Sequence, residues 1–114
     1  MEKDSQTYEM ATIFTSDIPD SEIQGHITDV ENLVVANGGE IIYTDIWGMR
    51  DFAYTIKKKD SGYYVLYYFE APRTTPHKVR DAIQLREDVL RHMLLVAEKL
   101  PNKVKEVENA KEES

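Results

Sequence analysis

The 114-residue chain reads as an α+β domain with the element order β-α-β-β-α-β. Three observations lead there. Two segments carry apolar residues at helical spacing, each bounded by residues that start or stop helices. Four other segments are rich in β-branched and aromatic side chains. The middle two of those are separated by a turn alone, which makes them a hairpin. That order is satisfied most economically by a four-stranded antiparallel sheet, strand order 4-1-3-2, with both helices on one face. This is the ferredoxin-like split βαβ plan.

The elements can be justified in turn. Residues 8–15 alternate loosely, with Tyr8, Met10 and Phe14 on one side and Glu9 on the other, as a first strand does. The stretch SDIPDSE then supplies helix-start chemistry. Asp17 or Asp20 is expected to cap the free N–H groups, and Glu22 suits the positive end of the helix dipole. Ile23, Ile27, Val30 and Val34 fall on one helical face. Asn37-Gly38-Gly39 ends the helix, because glycine takes the left-handed conformation common at a helix C-terminus.

Residues 40–57 form a long extended segment, with Gly48 marking a bulge or bend in its middle. Asp60-Ser61-Gly62 reads as the hairpin turn, and residues 63–71 as the returning strand. In that strand Tyr63, Val65, Tyr67 and Phe69 point one way, and Tyr64, Leu66, Tyr68 and Glu70 the other. Glu70 marks the second set as the helix-free side, so Tyr64 and Tyr68 are expected to face solvent or a partner. Pro72 closes the strand. Thr74-Thr75-Pro76 opens a second helix, with Thr as cap and Pro at the first helical position. Val79, Ala82 and Ile83 give it a buried side, and residues 89–97 are the last apolar strand. The expected domain spans residues 7–99, between flexible ends at residues 1–6 and 100–114.

Composition narrows the function classes. The chain has no cysteine, which excludes disulfides and thiolate metal sites and fits a reducing compartment. No signal segment is visible in MEKDSQTYEM, and no apolar run approaches the roughly 20 residues a membrane span needs. The expectation is a cytoplasmic protein. Its net charge of −7 is unevenly placed. Residues 1–46 hold ten acids against one lysine, whereas residues 47–94 hold nine Lys or Arg against six acids. A locally basic middle in an acidic chain is either a solvated mixed surface or a confined site for a polyanion.

No catalytic constellation accompanies it. His26, His77 and His92 lie far apart without metal-ligand spacing, and neither GxSxG, GxxxxGK[ST] nor GxGxxG occurs. No catalytic residue, metal or cofactor is therefore assigned. Nucleic-acid binding has more support. Arg50, Lys57, Lys58, Lys59, Arg86 and Arg91 can meet phosphates, and Trp47, Tyr64 and Tyr68 offer stacking surfaces. An RNA site and a protein-binding sheet both fit that pattern. The third-strand motif of RNA-recognition modules is met only in part: Gly62 and one aromatic are kept, but the basic lead residue is missing.

Trp47-Gly48-Met49-Arg50, the run from Phe52 through Lys58, and Gly62-Tyr63-Tyr64 together closely resemble the hairpin of the bacterial small-subunit ribosomal protein six family. Leu85-Arg86-Glu87-Asp88-Val89-Leu90-Arg91-His92-Met93 resembles that family's segment leading into its fourth strand, and Tyr8-Glu9 fits its first. The likeness covers residues 7–99. It implies the fold just derived, no enzymatic activity, and a place in the small ribosomal subunit. It further implies binding to the central domain of small-subunit ribosomal RNA, jointly with ribosomal protein eighteen as a heterodimer, and no role with DNA or membranes. Carried over by position, Arg50, Lys58, Arg86 and Arg91 are the implied RNA contacts, and Tyr64 and Tyr68 the partner-facing residues. Asp51, Thr55 and Met49 depart from the pattern, which shifts weight from the hairpin toward Arg86 and Arg91. The competing expectation is an RNA-recognition-type or ligand-binding module outside the ribosome, since this scaffold serves many functions.

Overall fold

Six elements follow along the chain: β1 (Ser5–Thr15), α1 (Asp20–Ala36), β2 (Glu40–Ile56), β3 (Lys59–Pro72), α2 (Thr75–Gln84) and β4 (Val89–Val96). The computed structural model describes residues 5–97. Most of the two expected flexible ends lies outside the described residues. Ser5 and Gln6, expected in the flexible N-terminus, instead belong to β1 and pair with Pro72 and Ala71. The sheet order is β2-β3-β1-β4 with every pairing antiparallel. That is the expected order 4-1-3-2 read from the other edge.

One side of the sheet is covered by both helices. Tyr8, Met10 and Phe14 from β1 and Val65, Tyr67 and Phe69 from β3 pack there against Ile27, Val30 and Val34 of α1 and Val79 and Ile83 of α2. Alternation along the strands and the 3-4 spacing along the helices place these residues on facing surfaces. Burial of each large side chain contributes about 1.5–3 kcal/mol. Two polar groups sit within this layer. The Thr12 hydroxyl donates to the Val65 carbonyl at 3.3 Å. The Tyr67 hydroxyl has no hydrogen-bond partner among the described residues, and burial raises its pKa, keeping it protonated.

Several local expectations are corrected. Neither Asp17 nor Asp20 caps α1: the N-cap is Pro19 in extended backbone, and no side chain caps it. The Asp17 carboxylate instead accepts from Lys59 Nζ at 2.7 Å, and that lysine's hydrogen bond and charge lower the Asp17 pKa. Thr74 is the N-cap of α2, as expected, but makes no side-chain cap bond. The Thr75 hydroxyl donates to the Asn37 carbonyl at 2.7 Å, so it secures the end of the other helix.

The hairpin turn also lies elsewhere. Ile56 pairs with Lys59, so the turn is Lys57-Lys58, and Asp60-Ser61-Gly62 falls inside β3. Gly62 is needed for close approach, not for turning. A Cβ there would come within 2.5 Å of Ile13 Cγ2 and 2.7 Å of Phe52 Cζ. Gly48 does mark a bulge: it has φ +89°, and the β2–β3 register shifts between Ile46 and Gly48. Only glycine holds that conformation without steric cost.

Candidate nucleic-acid interface

The sheet side without helices is lined by apolar and aromatic groups from all four strands. Tyr43 stacks on Tyr68 with ring centroids 6.2 Å apart, and Phe52 meets Tyr64 edge-on at the same distance. Ala11, Ile13, Tyr64 and Met93 line a shallow recess with Arg91 at its border. Met93, Leu95 and Trp47 are exposed. Asp45 sits beside this floor, buried, accepting from Trp47 Nε1 at 2.9 Å.

Tyr64 and Tyr68 both lie on this side, but their exposure differs. Tyr64 is half-buried. Tyr68 is only 5% exposed, which corrects the expectation that it meets solvent. It sits on a central strand between Glu9 of β1 and Tyr43 of β2, and its neighbours cover it. Burial, then the nearby Glu9 and Asp45 carboxylates, raises its pKa.

The long β2–β3 hairpin brings cations to this side. Beyond the Gly48 bulge, its outer half reaches back toward the sheet, so that Phe52, Tyr54 and Ile56 line a second recess together with Tyr64 and Arg91. Arg50 is exposed on β2 with its guanidinium carbon 5.9 Å from the Trp47 ring centre, a cation–π distance. Lys58 is in the turn itself, exposed, with φ +69°. Arg91 is exposed on β4 opposite Ile13. Among the described residues, no carboxylate lies within ion-pair distance of Arg50, Lys58 or Arg91.

Arg86 is placed differently. Its Nε and Nη2 donate to the two carboxylate oxygens of Asp88 at 3.0 and 2.7 Å, and Asp29 of α1 lies 3.6 Å away. His26 Nδ1 is 2.7 Å from the same Asp88 carboxylate. Burial alone would raise the Asp88 pKa, but the hydrogen bonds from Arg86 and His26 prevail and hold it below the usual carboxylate range. The Asp88 hydrogen bond likewise raises Arg86 above its ordinary value. A guanidinium engaged bidentately in this way ties the α2–β4 loop to α1 and has little left to offer a phosphate. The structure thus brings Tyr64 and Arg91 together with the hairpin, and leaves Arg86 apart as an internal brace. Lys59, held by Asp17, is a brace as well.

Lys57 and His92 were missed as a pair by sequence reading. They line one recess at the edge of the sheet, a proximity created by the reach of the hairpin and not by any local spacing. Among the described residues no group of His, Cys, Asp or Glu could hold a metal, and no helix is long and apolar enough to cross a membrane.

Comparison with known proteins matches the chain to a family. The family model described as ribosomal protein S6 matches residues 7–95. The small ribosomal subunit protein bS6 of Ehrlichia canis is 34% identical over 94 residues, covering 82% of this chain and 86% of that protein. Its counterpart in Thermoanaerobacter pseudethanolicus is 36% identical over 90 residues, covering 79% and 95%. Among solved structures, the 30S ribosomal protein S6 of Thermotoga maritima superposes with a TM-score of 0.75 at 22% identity. That match covers 95% of this chain and 98% of the other and supports the fold.

Proposed function

The chain belongs to the ribosomal protein S6 family, and from that premise we propose that it is a structural component of the small ribosomal subunit. In this reading it binds the central domain of the subunit RNA together with ribosomal protein eighteen, and it resides on the ribosome in the cytoplasm. The matched relatives are ribosomal proteins, and this chain is accordingly not an enzyme.

One observation carries the reading. Arg91 on β4 and Arg50 on β2 border a helix-free sheet face that is apolar and only partly covered, and Lys58 stands exposed in the turn of the hairpin that reaches it. The two features suit different partners. Arg50, Lys58 and Arg91 suit phosphates, which are met by charge. The floor around Tyr64, Ile13 and Met93 suits a protein, since apolar area gains by leaving water. Tyr68 lies on the same face further along β3, packed against Tyr43.

Net charge −7 works against long-range attraction to RNA. Three phosphate contacts at about 0.7–0.9 each give a salt slope of only about 2–3. The remaining attraction is supplied by a basic protein partner docked on the apolar floor. The test is sedimentation of a native extract, followed by RNA binding across a salt series with and without the partner. Comigration with the small subunit, and tight RNA binding only in the partner's presence, are the expected results. A chain that stays off intact subunits would return the reading to a non-ribosomal module of the same fold.

A further inference from the structure

Lys57 and Lys58 both hold left-handed backbone, with φ +50° and +69°. Residues with a Cβ pay about 1–2 kcal/mol each to do so, and such strain often persists where geometry serves a function. What this turn positions is Lys57. With Arg91 and His92 it lines a recess of about 220 Å³ at the free edge of β4, floored by Ile83 and Leu90. A water molecule occupies about 30 Å³, so a phosphate group with several waters has room there.

The charged groups that act on His92 are Arg80 from α2 and Lys57 from the hairpin tip, both cationic, while Arg91 adjoins it in β4. Burial first, then these two cations, holds the His92 imidazole below its ordinary pKa. Among the described residues none of Lys57, Arg80 or Arg91 lies within ion-pair distance of a carboxylate. The chain carries 21 acids, so their absence from this spot leaves it electropositive in an acidic protein.

We infer that the recess is a phosphate notch for a single phosphodiester of an RNA backbone, with Lys57 and His92 as its ligands and Arg80 adding charge from α2, while the Arg91 side chain points to the helix-free face beside Ile13. The inference rests on the RNA-binding reading above and sharpens it. A phosphate seated there bridges the hairpin tip to the α2–β4 side of the fold and steadies the strained turn. It also favours imidazolium, so binding takes up a proton at His92.

The test uses the full chain at low salt. The His92 imidazole is followed by NMR, assigned by comparison with His92→Gln, during titration with inorganic phosphate and separately with a short duplex RNA. The expected result is that RNA raises the His92 pKa by roughly one pH unit or more, with a smaller rise from inorganic phosphate, and that Lys57→Gln removes both. A His92 that responds to neither probe overturns the notch. A response to phosphate but not to RNA overturns the assignment to an RNA backbone. Sedimentation keeps the two readings distinguishable: a chain that rides on the small subunit with His92 silent has lost only the notch, whereas one that never joins the subunit has lost the RNA-binding reading itself.

Discussion

The two sides of this sheet use the same residue types to opposite ends. On the helix-covered side, large side chains interlock and several polar groups are matched within the molecule: Arg86 with Asp88, His26 with Asp88, and Glu31, which accepts from the Thr44 hydroxyl at 2.6 Å. On the helix-free side, aromatic rings cover one another only in part, and Arg50 and Arg91 stand clear of carboxylates among the described residues. Arg86 and Arg91 come from one short segment, yet one is a brace and the other is offered outward. A basic residue's role here is set by what the fold puts beside it.

The largest expected contrast is in stability. Phe69→Ala, on the covered side, should cost about 3–5 kcal/mol in urea unfolding. Leu95→Ala, exposed on the other side, should stay within about 0.5 kcal/mol. Tyr68→Ala should fall between them, because that ring is buried although it faces away from the helices. Equal losses at Phe69 and Leu95 would break the comparison.

Next in size is the brace. Asp88→Asn should destabilise by about 1–2 kcal/mol, a hydrogen-bond loss softened by partial exposure. It should also alter acid behaviour. The folded pKa of Asp88 lies below its unfolded value of about 3.9, so its stabilisation is present above about pH 4 and lost as the pH falls through the folded pKa. The Asn variant should therefore lose less stability than the parent on acidification below pH 4. Parallel acid-unfolding curves would show that Asp88 carries no such linkage.

A smaller effect of opposite sign is expected at the hairpin. Lys58→Gly relieves a left-handed lysine and should raise stability by about 1 kcal/mol. It also removes a phosphate contact and should lower the salt slope of RNA binding by about one. A variant that loses both stability and slope would mean the turn is not strained.

Much of this was legible in the chain. The element order and both helical stripes follow from periodicity, because burial enforces a period of 2 in strands and 3.6 in helices, and the strand order follows from the connections that element order allows. Gly48 announced its bulge. Asp60-Ser61-Gly62 misled, since its composition suits a turn while Gly62 is in fact required by the nearness of Ile13 and Phe52. The true turn uses two lysines at positive φ, which composition rules disfavour. Alternation put Tyr68 on the correct side but could not show what covers it, because its pairing with Tyr43 follows from a register shift between Ile41 and Tyr43. The Arg86 brace joins two elements distant in sequence. The Asp88 end was within reach of inspection, the Asp29 and His26 ends were not.

The central claim, that Arg86 holds the fold while Arg91 meets RNA, is tested most directly by one paired measurement. Arg86→Ala and Arg91→Ala are each assembled with the basic partner and RNA, and salt slope and thermal unfolding are recorded on the same samples. The account predicts that Arg91→Ala lowers the slope by about one unit and leaves the unfolding midpoint in place, while Arg86→Ala lowers the midpoint and leaves the slope. A slope reduced equally by both substitutions, with no loss of midpoint at Arg86, would contradict it.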